Sequence, residues 1–472
     1  MNKEDICYMS ACDMADMIKR QELTSVEITE TIIERIQKIN PIINAYCTLT
    51  FDLAREMAKR ADEAVKKGEK LGLIHGVPTS IKDLVFTKGI RTTFGSKIYE
   101  NFIPEEDEII VKRLKDAGCV ILGKTNTPEF GWAGVTYNLI FGDSLNPWNL
   151  ERTTGGSSGG AAAAVASGIS PLAQGSDGGG SLRHPTALCG VYGLKPHYGR
   201  IPKYPSIGFA GFLLSVQGPI TRYVKDAALM LDVMKGPYES DMESLPEQNV
   251  NYSEEIKQLP KKLKIGYSMD FGYAKAIDQD VERCILDSVK KFEKLEWEVS
   301  KAKIKLRAPN LPFITLWTAC YAYDLKSLLT KWRDKIDPEF IKAVDAGFSY
   351  DSISIMKAFA LRKKIYDAFY NQFKEYDVII SPTTAIPAFK LGIRFPTEIN
   401  GKGVSPVAWM PFTFPINMIG NPAASIPAGF SREGLPIGMQ IIGRRFDELT
   451  VLQVSKAFEE IAPWQDKRPK LE

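Results

Sequence analysis

The chain has 472 residues, with 60 Lys and Arg against 57 Asp and Glu and a net charge of +3. That balance excludes a strongly basic nucleic-acid binder and an acidic solvating chain. At 44% hydrophobic and 10% aromatic residues, the composition is globular rather than disordered.

Two amphipathic helices are predicted first. Thr24 and Glu27 form a capping box, after which Val26, Ile28, Ile32, Ile33, Ile36 and Ile39 recur at mostly helical spacing. Residues 52–67 are the second helix. A helix-to-strand unit follows at 107–123, where EIIVKRLKDAG gives way to CVILG. Further strands are predicted at 264–268, 377–382 and 437–443, with helices at 280–294 and 352–376. Strands alternating with helices indicate an α/β protein. Residues 236–262 are polar and rich in turn formers, and are expected to form a surface connection rather than a domain linker.

Seven scattered cysteines without a CxxC pair, and only three histidines (His75, His184 and His197), leave little material for a zinc site. A reduced, cytoplasmic setting fits this cysteine usage. The first twenty residues carry acids where a signal peptide needs an apolar stretch, and no run approaches about 18 apolar residues. Neither a membrane nor a nucleic acid is expected as a direct partner.

Chemistry concentrates at 153–186, TTGGSSGGAAAAVASGISPLAQGSDGGGSLRHPT. Two glycine-rich turns bracket an Ala-rich helix beginning near Gly159. The first places Ser157 and Ser158 at a helix N-terminus, and the second runs directly into Ser181. Consecutive glycine amides beside a serine hydroxyl can form an oxyanion hole; the plainer alternative is a pair of tight turns. For a base, each histidine sits near Gly or Pro punctuation and reads as a local hydrogen-bonding residue. The string Gly156–Gly160 fits G-x-S-x-G, but a nucleophile elbow must follow a buried strand, and ERTT is polar. Lys82, leaving the strand-like HGVPTSI, is the other candidate, because a desolvated lysine becomes a neutral base.

These residues closely resemble the amidase signature family of serine hydrolases. The similarity is carried by HGVPTSIKD (75–83), GKTNTPEFG (123–131), NPWNLERTTGGSSGG (146–160) and GSDGGGSLRHPTALCGVYGLKP (175–196), and in weaker form by DVIISPTT (377–384) and the stretch 420–443. It implies a single domain over 1–472, with a helical N-terminal segment (1–70), a signature core at about 75–200 and a central mixed β-sheet surrounded by α-helices. It also implies a Ser–cis-Ser–Lys triad with Ser181 as nucleophile, Ser157 as bridging acid/base and Lys82 as general base. The amides of Gly178, Gly179, Gly180 and Ser181 would form the oxyanion hole, supported by Asp177 and Arg183. Gly131, Trp132 and Trp409 would lie near a substrate pocket. No metal or cofactor is needed. The expected partner is a small amide substrate, and a homodimer is the assembly expected from similar proteins.

The aromatic stretch Trp409–Asn417 suits an apolar aryl or acyl amide, and so the free-standing amidases of the family. The alternatives are the glutaminase subunit of a transfer-RNA-dependent amidotransferase, an esterase using Ser158, and a catalytically silent anion-binding protein. Four positions depart from the family's commonest spelling. Gly178 stands for a frequent Thr and is expected to loosen or widen the oxyanion turn. His184, Thr186 and His197 bear on substrate preference rather than reaction type.

Overall fold

The computed structural model describes residues 2–206, 214–307 and 309–471. Eleven strands form one mixed sheet surrounded by helices: β1 (Tyr46–Leu49), β2 (Pro78–Lys82), β3 (Val120–Thr125), β4 (Leu172–Asp177), β5 (Tyr192–Lys195), β6 (Val216–Thr221), β7 (Lys264–Tyr267), β8 (Glu298–Lys301), β9 (Val378–Pro382), β10 (Ala423–Phe430) and β11 (Pro436–Gly443). Their spatial order is β1-β3-β2-β4-β6-β5-β10-β11-β9-β7-β8. β2 lies parallel to both β3 and β4, and β7 lies parallel to β8 and β9; the other pairings are antiparallel. Every residue of β2, β3, β6, β9 and β11 is buried. This is why β3, β9 and β11 read as short apolar runs rather than alternating ones.

The helix after Thr24 is Ser25–Ile43, and its capping box is present: Thr24 Oγ1 accepts from Glu27 N–H at 3.1 Å, and Glu27 Oε2 accepts from Thr24 N–H at 2.8 Å. Ile28, Ile32, Ile33, Ile36 and Ile39 are all buried. The other predicted helices occupy Phe51–Lys66, Ile109–Asp116, Gln279–Lys291 and Ser352–Gln372.

The structure adds elements that were not predicted, among them β1, β4, β5, β6, β8 and β10 and the helices Val224–Met234 and Glu448–Ile461. Two shorter helices, Lys3–Tyr8 and Ala11–Lys19, precede the one expected to open the chain. They are too short to show much periodicity, and the second is fixed from afar: the buried Asp226 carboxylate accepts from Ala11 N–H at 2.9 Å and Cys12 N–H at 3.0 Å. The helices Asn310–Trp332 and Pro338–Phe348 were not predicted. The first mixes exposed and buried apolar residues, which hides its face. Within the polar connection 236–262, a one-turn helix at Tyr252–Glu255 pins Tyr252 into the core.

Candidate active site

β2 and β4 are parallel neighbours, so their C-terminal ends open on the same edge of the sheet. Lys82 is the last residue of β2, and Asp177, the last of β4, leads through Gly178, Gly179 and Gly180 to Ser181. The helix Gly159–Ala166 begins at the same place, bringing up Ser157 and Ser158. One sheet edge and one helix start thereby gather residues that are far apart in the chain.

Lys82 is fully buried, and its Nζ has three hydroxyl neighbours: Ser157 Oγ at 2.7 Å, Ser158 Oγ at 2.9 Å and Ser176 Oγ at 3.0 Å. Burial holds the amine well below the ordinary lysine range, with the charge of Asp177 opposing the shift only in part. A neutral amine offers two N–H donors and one lone pair, so three hydroxyls saturate it. The peptide bond Gly156–Ser157 is cis. The sequence pointed to Ser157 alone as a lysine partner; Ser158 lies in the first glycine-rich turn and Ser176 near the end of β4, and neither carries a motif of its own.

Ser158 is fully buried, with its hydroxyl donating to Ser176 O at 3.2 Å. It lines neither of the cavities described below, which argues against the esterase reading. Ser181, by contrast, is 8% exposed and lines both.

Among the described residues, the amides of Gly178, Gly179, Gly180 and Ser181 meet no hydrogen-bond acceptor, which leaves them as donors in the turn that carries the Ser181 hydroxyl. The turn is held from behind. Arg183 Nε donates to Asp177 Oδ2 at 2.9 Å and Nη2 to Oδ1 at 3.0 Å, both side chains being fully buried. Arg183 also donates to Asn417 Oδ1 at 2.7 Å and Gln440 Oε1 at 2.5 Å. Burial alone would raise the Asp177 carboxyl, but the Arg183 charge and hydrogen bonds overcome it and hold the group below the usual carboxylate range. Asn417 and Gln440 are supporting residues that the sequence did not flag.

The departures from the family's spelling acquire physical explanations. Gly178 does not widen the turn as expected. A β-carbon there would lie 2.6 Å from the Trp317 ring, so an aromatic side chain from Asn310–Trp332 already fills the space. A β-carbon on Gly179 would likewise meet Phe313 at 2.7 Å. His184 sits beneath Gly180, its Nε2 beside Thr413 Oγ1, while that hydroxyl donates to Gly179 O at 2.8 Å. Burial lowers His184 to about 3, so it is neutral at working pH. Thr186 donates within its own helix to Leu182 O at 2.7 Å, and His197 lies against Phe446 with 4.2 Å between ring centroids.

The larger cavity, about 730 Å³, is lined by Gly131, Ser157, Ser176, Gly178 and Ser181, and extends to Lys203, Asp241 and Asp324. The smaller, about 190 Å³, is an aromatic slot formed by Trp132, Phe313, Trp317 and Trp409, with Ser181 and His184 at its base. Gly131, Trp132 and Trp409 are therefore all brought to the nucleophile's side. A β-carbon on Gly131 would lie 2.7 Å from Leu84 and 3.3 Å from Ser157 Oγ, so the bare backbone is needed there. Among the described residues no group of three or more His, Cys, Asp or Glu side chains could hold a metal ion, and no helix is long and apolar enough to cross a membrane.

A family model for amidases matches residues 27–452. The chain is 38% identical over 474 residues to an acylamidase of Rhodococcus erythropolis, covering 99% of this chain and 98% of that one. It is also 38% identical over 494 residues to a glutamyl-tRNA(Gln) amidotransferase subunit of Carboxydothermus hydrogenoformans, covering 99% and 100%. A solved bacterial aryl acylamidase of the amidase signature family superposes with a TM-score of 0.91 at 30% identity over 97% of each chain. Extending over nearly the whole chain, these similarities place it in the amidase signature family of hydrolases, which act on amide C–N bonds.

Proposed function

We propose that the protein hydrolyses apolar aryl or acyl amides through an acyl-enzyme on Ser181. The observation that carries this reading is the buried amine of Lys82, surrounded by three hydroxyls and, among the described residues, contacted by no carboxylate. Neutral Lys82 takes a proton from Ser157 as Ser157 takes one from Ser181, whose oxygen attacks the amide carbonyl. The developing oxyanion meets the amides of the Gly178–Ser181 turn, donors already in place before charge forms. Ser157 then returns a proton to the leaving nitrogen, and water hydrolyses the ester by the reverse relay. No metal or organic cofactor enters this scheme.

A glutaminase subunit is the second reading, favoured by the equal identity to the amidotransferase relative. The slot weighs against it. Glutamine carries an ammonium and a carboxylate, whereas the one charged side chain lining the slot is Arg394, already paired with Asp337 at 2.6 Å. Burying unpaired charge against tryptophan rings is costly.

The test is amine or ammonia release from p-nitroanilides, simple amides and glutamine by wild type, Ser181→Ala, Ser157→Ala and Lys82→Ala. Hydrolysis of apolar amides by wild type, lost in all three variants, is expected. Turnover of glutamine alone would favour the amidotransferase reading, and activity surviving in Ser181→Ala would refute the mechanism. In wild type kcat/KM should rise with pH through an ionisation well below the ordinary lysine value of about 10.4, because only the neutral amine is a base.

A further inference from the structure

Two cavities meet at Ser181, and they differ in size, polarity and access to the proton donor. Ser157 lines the larger cavity and is not among the residues lining the slot. Once Ser181 has added to the carbonyl carbon, that carbon carries the oxyanion, the nitrogen and the acyl group. The oxyanion is fixed by the glycine turn. The nitrogen must sit within hydrogen-bond reach of Ser157 Oγ to receive its proton as the C–N bond breaks. That places nitrogen on the side of the larger cavity and leaves the slot to the acyl group.

We propose that the enzyme binds its amides in one direction, a compact single-ring acyl group filling the aromatic slot and a larger, amphipathic amine portion lying in the cavity on the Ser157 side. This rests on the assignment of Ser181 as nucleophile and Ser157 as proton donor. The volumes set the size limits. An apolar cavity of about 150 Å³ holds benzene, so a slot of about 190 Å³ takes one ring and its methylene but not two fused rings. The larger cavity, about 730 Å³, is within the usual range of about 300–1,000 Å³ for a drug-sized ligand. Its wall is mixed, with Phe94, Tyr99, Phe130 and Leu328 beside the polar groups. Lys203, Asp241, Glu243 and Asp324 line it together with several serines. The slot offers rings, and its one cation is spent on Asp337 and on the face of Tyr137, 4.3 Å away.

The test uses two isomers differing only in the direction of the amide: the phenylacetamide of a methoxy-oligo(ethylene glycol) amine, and the N-benzyl amide of the matching oligoether acid. Both are alkyl amides of similar intrinsic reactivity. Wild type should favour the phenylacetamide in kcat/KM by about tenfold or more, the scale on which pocket fit discriminates. A naphthylacetyl analogue of the same amine should fall by a similar factor. Ala133→Leu, which narrows the slot, should lower the phenylacetyl-to-acetyl rate ratio for a fixed amine. Leu328→Trp, which narrows the larger cavity, should instead lower the ratio of the oligoether amide to primary phenylacetamide. Equal rates for the isomers, or preference for the N-benzyl amide, overturn the proposal even where a variant fails to fold. A fluorophosphonate probe separates the two levels of failure. Ser181 labelled with the reversed isomer preferred removes only the directional assignment. No labelling and no amide hydrolysis remove the amidase mechanism and the directional proposal with it.

Discussion

Replacing Lys82 by Met tests the neutral buried amine without measuring catalysis. Met keeps most of the length of the chain and has no proton to exchange. In wild type the folded lysine is held neutral by burial, while the unfolded lysine is protonated up to about pH 10.4. Between the lowered folded value and about 10.4 the unfolded state therefore binds one more proton, and wild-type stability rises with pH. For one proton the slope is about 1.4 kcal/mol per pH unit. The Met variant lacks this term. Its stability relative to wild type should thus grow by about 1.4 kcal/mol for each unit the pH is lowered, and level off below the folded value. Lys124, drawn by burial to about 8, and Glu108, raised by burial to about 8, are common to both chains and cancel to first order in the difference. Urea unfolding of both proteins at about pH 7, 8 and 9 gives the three differences needed. A gap that does not change with pH would mean that Lys82 keeps its ordinary proton affinity in the fold. It would then be an ammonium donating to three serines, and the general-base reading would fall.

Three other perturbations follow from the site. Gly178→Ala forces the Trp317 ring or the turn to move, at a cost of about 1–3 kcal/mol for overpacking; kcat should fall about tenfold or more, and adding Trp317→Leu should recover part of it. His184→Leu removes the ring nitrogen beside Thr413, loosening the hydroxyl that holds Gly179 O; kcat should fall about tenfold with little change in KM, His184→Gln should retain more activity, and unchanged kinetics in His184→Leu would refute the support role. Asp177→Asn leaves the Arg183 guanidinium buried without its counter-charge, which costs about 3–5 kcal/mol, visible as a large drop in Tm.

Much of the site is legible because its residues lie in short strings that resemble those of the amidase signature family; their local signatures alone left the base and the nucleophile open. Lys82 ends the strand-like HGVPTSIK, Ser157 and Ser158 stand where a glycine turn starts a helix, and Ser181 follows a run of three glycines. What could not be read is what arrives from a distance. Ser176 is a solitary serine near the end of β4, and only the parallel pairing of β2 with β4 sets it 3.0 Å from Lys82 Nζ. Asn417 and Gln440 lie more than two hundred residues from the Asp177–Arg183 pair they support. In the fold, β3, β9 and β11 show because both faces are buried, whereas Lys3–Tyr8 is held by the core and Ala11–Lys19 by the core and Asp226 rather than by their own periodicity.

Gly178 shows how a local reading can identify the right residue and mistake its consequence. Taken in sequence, a third glycine adds freedom and suggests a wider turn. In the fold, the missing β-carbon is replaced by the Trp317 ring at 2.6 Å from where that carbon would stand, so the turn is covered rather than loosened. The same ring borders both the larger cavity and the slot. A threonine at 178 would have to displace it, altering the wall between the two halves of the substrate as well as the oxyanion turn. Gly178 and Trp317 therefore act as a pair. Their effects on catalysis should be non-additive, and the coupling should be larger for amides with a ring on the acyl side than for acetamides, whose acyl group is too small to reach the tryptophan.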